Sequence, residues 1–267
     1  MNADATEDDD NQDPAITAGL AEALAQAPVL FDRLQATAKS AAASGSDAAK
    51  DAAAPLGHHG QILAVDHLSS GIEHLVIWNR LLTSGVQPNT VHMTLVRGAM
   101  EGAVTSRWLI DPRAGSGERI GRGVALLLDD YANRRDFERD FGIPPEKVKP
   151  PARTGADRRA ELLAERTAHK IGVVKVPTMT ALFGAYVGLE PGPGRAIYRL
   201  LSAYAHGKQW KGLTTKNQAV ENAVPVPGGQ LMKVTANDDL SLQMTVLGMR
   251  VAAAALDELR AHYGLAD

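Results

Sequence analysis

The sequence predicts an all-α protein, a helical bundle with a small β-hairpin insertion near residues 222–235. Three observations carry that expectation. Alanine and leucine are abundant while aromatic residues make up only 4% of the chain, a composition suited to helices packed by small and aliphatic side chains rather than to a β-sandwich. Apolar residues recur at three- and four-residue steps through several long windows, which is the spacing of one helix face. The strand-like runs are short and flank Gly228-Gly229 in "NAVPVPGGQLMKV", the signature of a tight hairpin.

The elements follow in chain order. Residues 1–14 are acidic and polar, a composition expected to be disordered. Helical spacing at Leu20, Leu24 and Leu30 predicts a helix over 16–39, with Pro28 kinking or dividing it. The small, polar, aperiodic stretch 40–58 reads as a linker. Ile62, Val65, Leu68, Ile72, Leu75, Val76 and Leu82 predict a helix over 61–83. After the turn "SGVQPNT", Asn89 or Thr90 is placed to cap a helix reaching Ile110. "DPRAGSGE" ends it, and a further helix is expected over 118–140. A Pro-rich basic connection, "GIPPEKVKPPARTG", leads to three shorter helices near 156–170, 177–187 and 192–206, and the last helix spans about 240–263. The expected organisation is a tail over 1–14, an N-terminal helix over 15–39, a linker over 40–58 and a single helical domain over 59–267.

Composition narrows the function classes. With 267 residues, 45% of them hydrophobic, the chain is long enough for one large domain or two small ones. It has no cysteine, which excludes disulfides, thiolate metal sites and a cysteine nucleophile. A formal net charge of -3 argues against nonspecific coating of nucleic acid, although a local basic patch is compatible with it. The N-terminus "MNADATEDDDNQD" has no apolar run behind it and is not a signal peptide. No stretch approaches the roughly 18 apolar residues that cross a bilayer. A soluble, cytoplasmic protein with no membrane partner is expected.

The stretch "RLLSAYAHGK", residues 199–208, is the most informative one. At roughly 100° per residue, Ile197, Leu200, Leu201 and Tyr204 gather on one side of a helix. Arg195, Arg199, Ser202 and His206 gather on the other, with Ala203 and Ala205 flanking a stripe open to close approach. Gly207 stands where a helix ends, leaving His206 in the last turn, where the helix dipole favours the imidazolium. A solvated face of an amphipathic helix would be occupied by the same residue types.

An arginine and a histidine separated by six residues, Arg199 and His206, late in an all-helical chain, resemble the motif of the HEPN superfamily of ribonucleases and toxin components. "YRLLSAYAHG" is also similar to the "LS…H" signature of HEPN-like and abortive-infection families. Leu200 departs from the pattern, because active members usually carry a polar residue directly after the arginine, and Ser202 is the residue placed to substitute. The resemblance implies metal-independent RNA cleavage without a cofactor, by a homodimer whose two motifs meet at the interface. His206 would transfer protons, and Arg199 would supply charge and a bidentate fork to the phosphate. An antitoxin partner belongs to the same expectation. Downstream, Lys208, Lys211 and Lys216 surround Trp210, a pattern for backbone and stacking contacts with single-stranded RNA. The same pattern would also serve as a solvated loop with Trp210 over the core.

Supporting residues are sought on a second helix. Arg97 and Glu101 are four apart in "LVRGAMEGAVTSRWLID" and therefore share a face as an internal pair. Such a pair either fixes packing or lets Glu101 orient His206 or Arg199 from a neighbouring helix. His58, His59, Asp66, His67, Glu73 and His74 gather in and just before the helix expected over 61–83, but no Glu-x-x-His pair occurs, and a metal site is not expected. "GLEPGPGR" lacks the Gly-Lys-Ser/Thr ending of a phosphate loop and reads as a helix start. Two functions are thus expected to compete: a HEPN-like endoribonuclease, and a catalytically silent helical module that binds a protein or nucleotide.

Overall fold

The computed structural model describes residues 14–86, 90–144, 147, 152–208, 224–226, 229–231 and 238–265. Ten helices lie within them: α1 (Pro14–Leu24), α2 (Ala27–Lys39), α3 (Asp47–Ala52), α4 (His58–Thr83), α5 (Val91–Leu109), α6 (Ser116–Asp140), α7 (Gly155–Ala168), α8 (Met179–Tyr186), α9 (Pro191–Ala205) and α10 (Asp238–His262). The periodicity of the sequence thus becomes helix where the apolar spacing is three and four. No helix among the described residues is long and apolar enough to cross a membrane.

The bundle is organised around the antiparallel neighbours α4 and α5, which approach unusually closely. A Cβ built on Gly102 would lie 2.2 Å from the carbonyl oxygen of His67, and one on Gly71 would lie 2.8 Å from that of Ala99. The two backbones therefore touch, and only glycine permits the crossing. Between α4 and α6 the same device recurs, with a Cβ on Gly123 falling 2.6 Å from the Cα of Gly60. Around this frame α1, α2, α8, α9 and α10 contribute one continuous core, in which Leu24, Leu34, Leu68, Phe183, Leu201 and Leu256 are fully buried. Each such side chain contributes roughly 1.5–3 kcal/mol relative to exposure. A smaller cluster of Ile120, Val124, Leu128 and Leu162 joins α6 to α7. The indole of Trp78 on α4 donates to Thr245 of α10 at 3.2 Å and stacks on His92 of α5, tying three helices at one point.

Several boundaries differ from expectation for identifiable reasons. Pro28 does divide the 16–39 helix, and it does so from the first turn of α2, where its missing N–H costs nothing. The stretch 40–58, expected as a linker, carries α3. Ser46 caps that helix by accepting from the N–H of Ala49 at 3.1 Å, and Ala48 and Asp51 are buried. Its composition conceals this because one short helix has too few residues to show a period, and its anchor is a distant arginine. The helices of 15–39 share the main core rather than standing apart from it. Residues 1–13 of the expected acidic tail lie outside the described residues.

The helical body holds no strand, and the small β insertion expected near 222–235 is not part of it. There the structure describes only a backbone ladder, β1 (Val224–Val226) against β2 (Gly229–Leu231), between positions outside the described residues.

Candidate functional site

Two helices position the candidate site. Helix α9 starts on Pro191 in its first turn and buries Leu201, Ala203 and Tyr204, with Ile197, Tyr198 and Leu200 packed partly against the core. Ala203 is thus closed off rather than a flank of the polar stripe. The helix ends in a Schellman motif. The N–H of Lys208 donates to the carbonyl of Ala203 at 2.9 Å, and that of Gly207 to Tyr204 at 3.3 Å. Gly207 takes φ +62°, the left-handed geometry that closes such an end with no steric cost to glycine. His206 is consequently the C-cap residue, exposed and held at the tip of the helix.

Helix α5 brings Arg97 to that tip. The guanidinium is largely covered, with 17% of the side chain exposed, and Glu101 is covered less, at 29%. Arg97 Nε donates to Glu101 Oε1 at 2.8 Å, Nη1 reaches His206 Nε2 at 3.2 Å, and Nη2 donates to the Tyr198 hydroxyl at 3.5 Å. Its Cζ also stands 5.4 Å from the centre of the Tyr198 ring, which leans on Phe183 at 5.0 Å. An arginine N–H has no lone pair to offer, so in this contact the His206 Nε2 that faces it is the acceptor. A carboxylate, a guanidinium, a phenol and an imidazole therefore form one chain across two helices. Such a group can bind an oxyanion through Arg97, and it offers an imidazole for proton transfer.

The expected site residues divide accordingly. Arg97, Glu101 and His206 are brought together. Arg199 is exposed on the same side of α9 and makes no hydrogen bond or ion pair among the described residues. Arg195 is exposed, with its Cγ lying over Gly184 of α8, 3.2 Å from where a Cβ would stand. Ser202 is half-buried, and its carbonyl accepts from the His206 N–H at 3.0 Å. Lys208 is exposed directly after the cap. Trp210, Lys211 and Lys216 lie outside the described residues. Tyr198 joins the cluster although the sequence pattern does not mark it. Eight residues before His206 it falls about 80° away on the helix, at the border of both faces, where periodicity assigns it to neither.

Other titratable groups serve different purposes. Burial first lowers the pKa of His67, against Asp130 and Asp66, whose charges favour the protonated ring. His58 and His59 have ring centres 4.1 Å apart. No group of three or more His, Asp or Glu residues among those described is arranged to hold a metal ion.

Two buried ionic networks, both invisible to sequence spacing, lock helices together. Arg119 on α6 grips Asp51 of α3 with two bonds, 2.7 and 2.9 Å, and donates to the Ala114 carbonyl at 2.6 Å. His262 of α10 lies 3.8 Å from Asp51. In the second network Tyr186 donates to Asp111 at 2.7 Å, and Arg107 forms a double bond pair with Glu258. Burial pushes the Asp111 carboxyl up, but Arg113 and the Tyr186 hydroxyl outweigh it and hold the group well below the ordinary carboxylate range.

Comparison of the chain with protein-family models, with curated proteins and with solved structures returns no match.

Proposed function

We infer that the protein is a metal-independent endoribonuclease of HEPN-like type, a cytoplasmic defence or toxin component that works as a homodimer and is held in check by an antitoxin partner. The observation that supports this reading is the meeting of Arg97 with His206 at the capped end of α9. A phosphodiester entering there takes the N–H donors of Arg97, which frees His206 Nε2 to accept the ribose 2′-hydroxyl proton. The 2′-oxygen then attacks phosphorus and the 5′-oxygen leaves with a proton from the second copy's histidine. The products are a 2′,3′-cyclic phosphate and a 5′-hydroxyl. Arg199, exposed on the same face, adds charge for the phosphate oxygens, and Glu101 holds the Arg97 fork in plane. Lys208, exposed directly after His206, adds a cation for the RNA backbone, and Trp210 and Lys211 follow it in the sequence.

A second reading, a catalytically silent binding module, is favoured by one observation. Arg97 already engages His206 Nε2 within the chain. RNA cleavage in EDTA, with product ends identified, decides between the two. The wild type is expected to cleave with cyclic phosphate ends. His206→Ala is expected to lose most of the activity without a change in helical content, because His206 is exposed at a helix end, and Arg97→Lys, which keeps the charge but not the fork, is expected to lose most of it too. Absence of cleavage by the purified wild type, or undiminished cleavage by His206→Ala, leaves only the binding module.

A further inference from the structure

A further cleft shares no lining residue with the cluster of Arg97, Glu101, Tyr198 and His206. It opens between the turn after α3, the first turns of α6 and the loop following α7, and holds a volume of about 510 Å³, within the range of small-molecule sites. Its walls include Pro55, Ile120, Ile171, Val173 and Val174. Val173 is 79% exposed, the largest exposure among the big apolar side chains of the described residues. A Cβ on Gly121 would meet Val174 Cγ2 at 2.8 Å and the Gly172 carbonyl at 3.2 Å, so the loop sits directly on α6. Gly117, in the first turn of α6, also lines it, and a Cβ there would meet nothing within 4 Å.

The charges at the mouth choose the occupant. Glu118 lines the cleft, but its carboxylate is taken by Arg122 at 2.5 Å. Lys170 and His169 line it too, and neither side chain has a partner among the described residues. Lys170 takes φ +54°, a conformation where glycine or asparagine fits more easily. The left-handed turn closes α7 through the N–H of Lys170 on Thr167 at 3.1 Å and that of Ile171 on Arg166 at 3.0 Å. An apolar trough with one unpaired ammonium and an imidazole at its rim is complementary to a molecule with an apolar tail and a single anionic head. The geometry points to a binding site for a medium-chain carboxylate, its tail along Ile120, Ile171 and Val173 and its head on Lys170.

The test uses the full chain, with decanoate and decanol as probes below their aggregation concentrations. Amide shifts locate the site and calorimetry measures affinity. Decanoate should saturate one site, with shifts confined to residues 54–55, 117–121 and 169–174, and should bind several-fold tighter than decanol. Lys170→Asn keeps a residue that tolerates the left-handed turn, so it removes the charge without the turn. It should weaken decanoate about threefold, as loss of an exposed ion pair does, and leave decanol unchanged. Val173→Asp, at an exposed position, should weaken both tenfold or more with an unaltered melting temperature. Non-saturable binding, shifts elsewhere, partition only onto lipid vesicles, or decanoate affinity unchanged in both variants would each overturn the assignment.

Discussion

Replacing Arg119 by methionine isolates one buried ion pair of the fold. Its guanidinium holds Asp51 through two bonds, and the side chains are 6% and 3% exposed. The pair spans 68 residues of sequence and fastens α3 to α6. Removing the cation alone leaves a carboxylate buried beside Asp47, which is itself 3.6 Å from Arg119, and strips the Ala114 carbonyl of its donor. Breaking one side of such a pair costs about 3–5 kcal/mol, whereas replacing both partners by apolar groups is often close to neutral. For a chain of this size each kcal/mol moves the melting temperature by roughly 2–4 °C, so Arg119→Met should melt about 6–20 °C lower. The double variant Asp51→Leu/Arg119→Met should recover most of that loss. Urea titrations of the wild type, both single variants and the double variant give the coupling directly. A penalty below about 1 kcal/mol for Arg119→Met, or a double variant as unstable as the sum of the singles, would refute the claim that this pair fastens α3.

Two further outcomes are expected. Leu201→Ala removes a fully buried side chain and should cost about 2–5 kcal/mol. Arg199→Ala on the opposite, exposed face should stay within about 0.5 kcal/mol of wild type, and chemical denaturation compares them. Burial is the first cause that lowers the His59, His67 and His262 pKa values below the ordinary 6.5. The unfolded chain then binds more protons than the native one as pH falls through that value, so stability should decline from about pH 7 toward 5.5. In His262→Leu the slope over that window should be shallower, and an unchanged slope would show that the buried imidazole is not a contributor.

Local order was legible in the sequence, and the reason is physical. A helix writes its own period into neighbouring residues, so the span 61–83 foretells α4 and the span 192–206 foretells α9, each within a few residues of the observed ends. Gly207 foretells the end of α9 because a left-handed turn there depends on one residue type. The faces were legible as well: Leu201 and Tyr204 are buried, while Arg195, Arg199 and His206 are exposed.

Neighbours were not legible. Arg97 reaches His206 across 109 residues, and no spacing rule connects α5 to α9. Their contact follows from α8 and α9 packing together against α5, down to Gly194 of α9, where a Cβ would lie 2.4 Å from the Phe183 carbonyl oxygen. The same holds for Asp51 and Arg119, whose pairing turns an apparent linker into α3. Residue type and period determined the helices, their ends and their buried faces. Packing alone decided which faces meet, because side-chain volumes and backbone approach are settled jointly by every helix in the bundle, and only that joint solution places Arg97, Glu101, Tyr198 and His206 in one cluster.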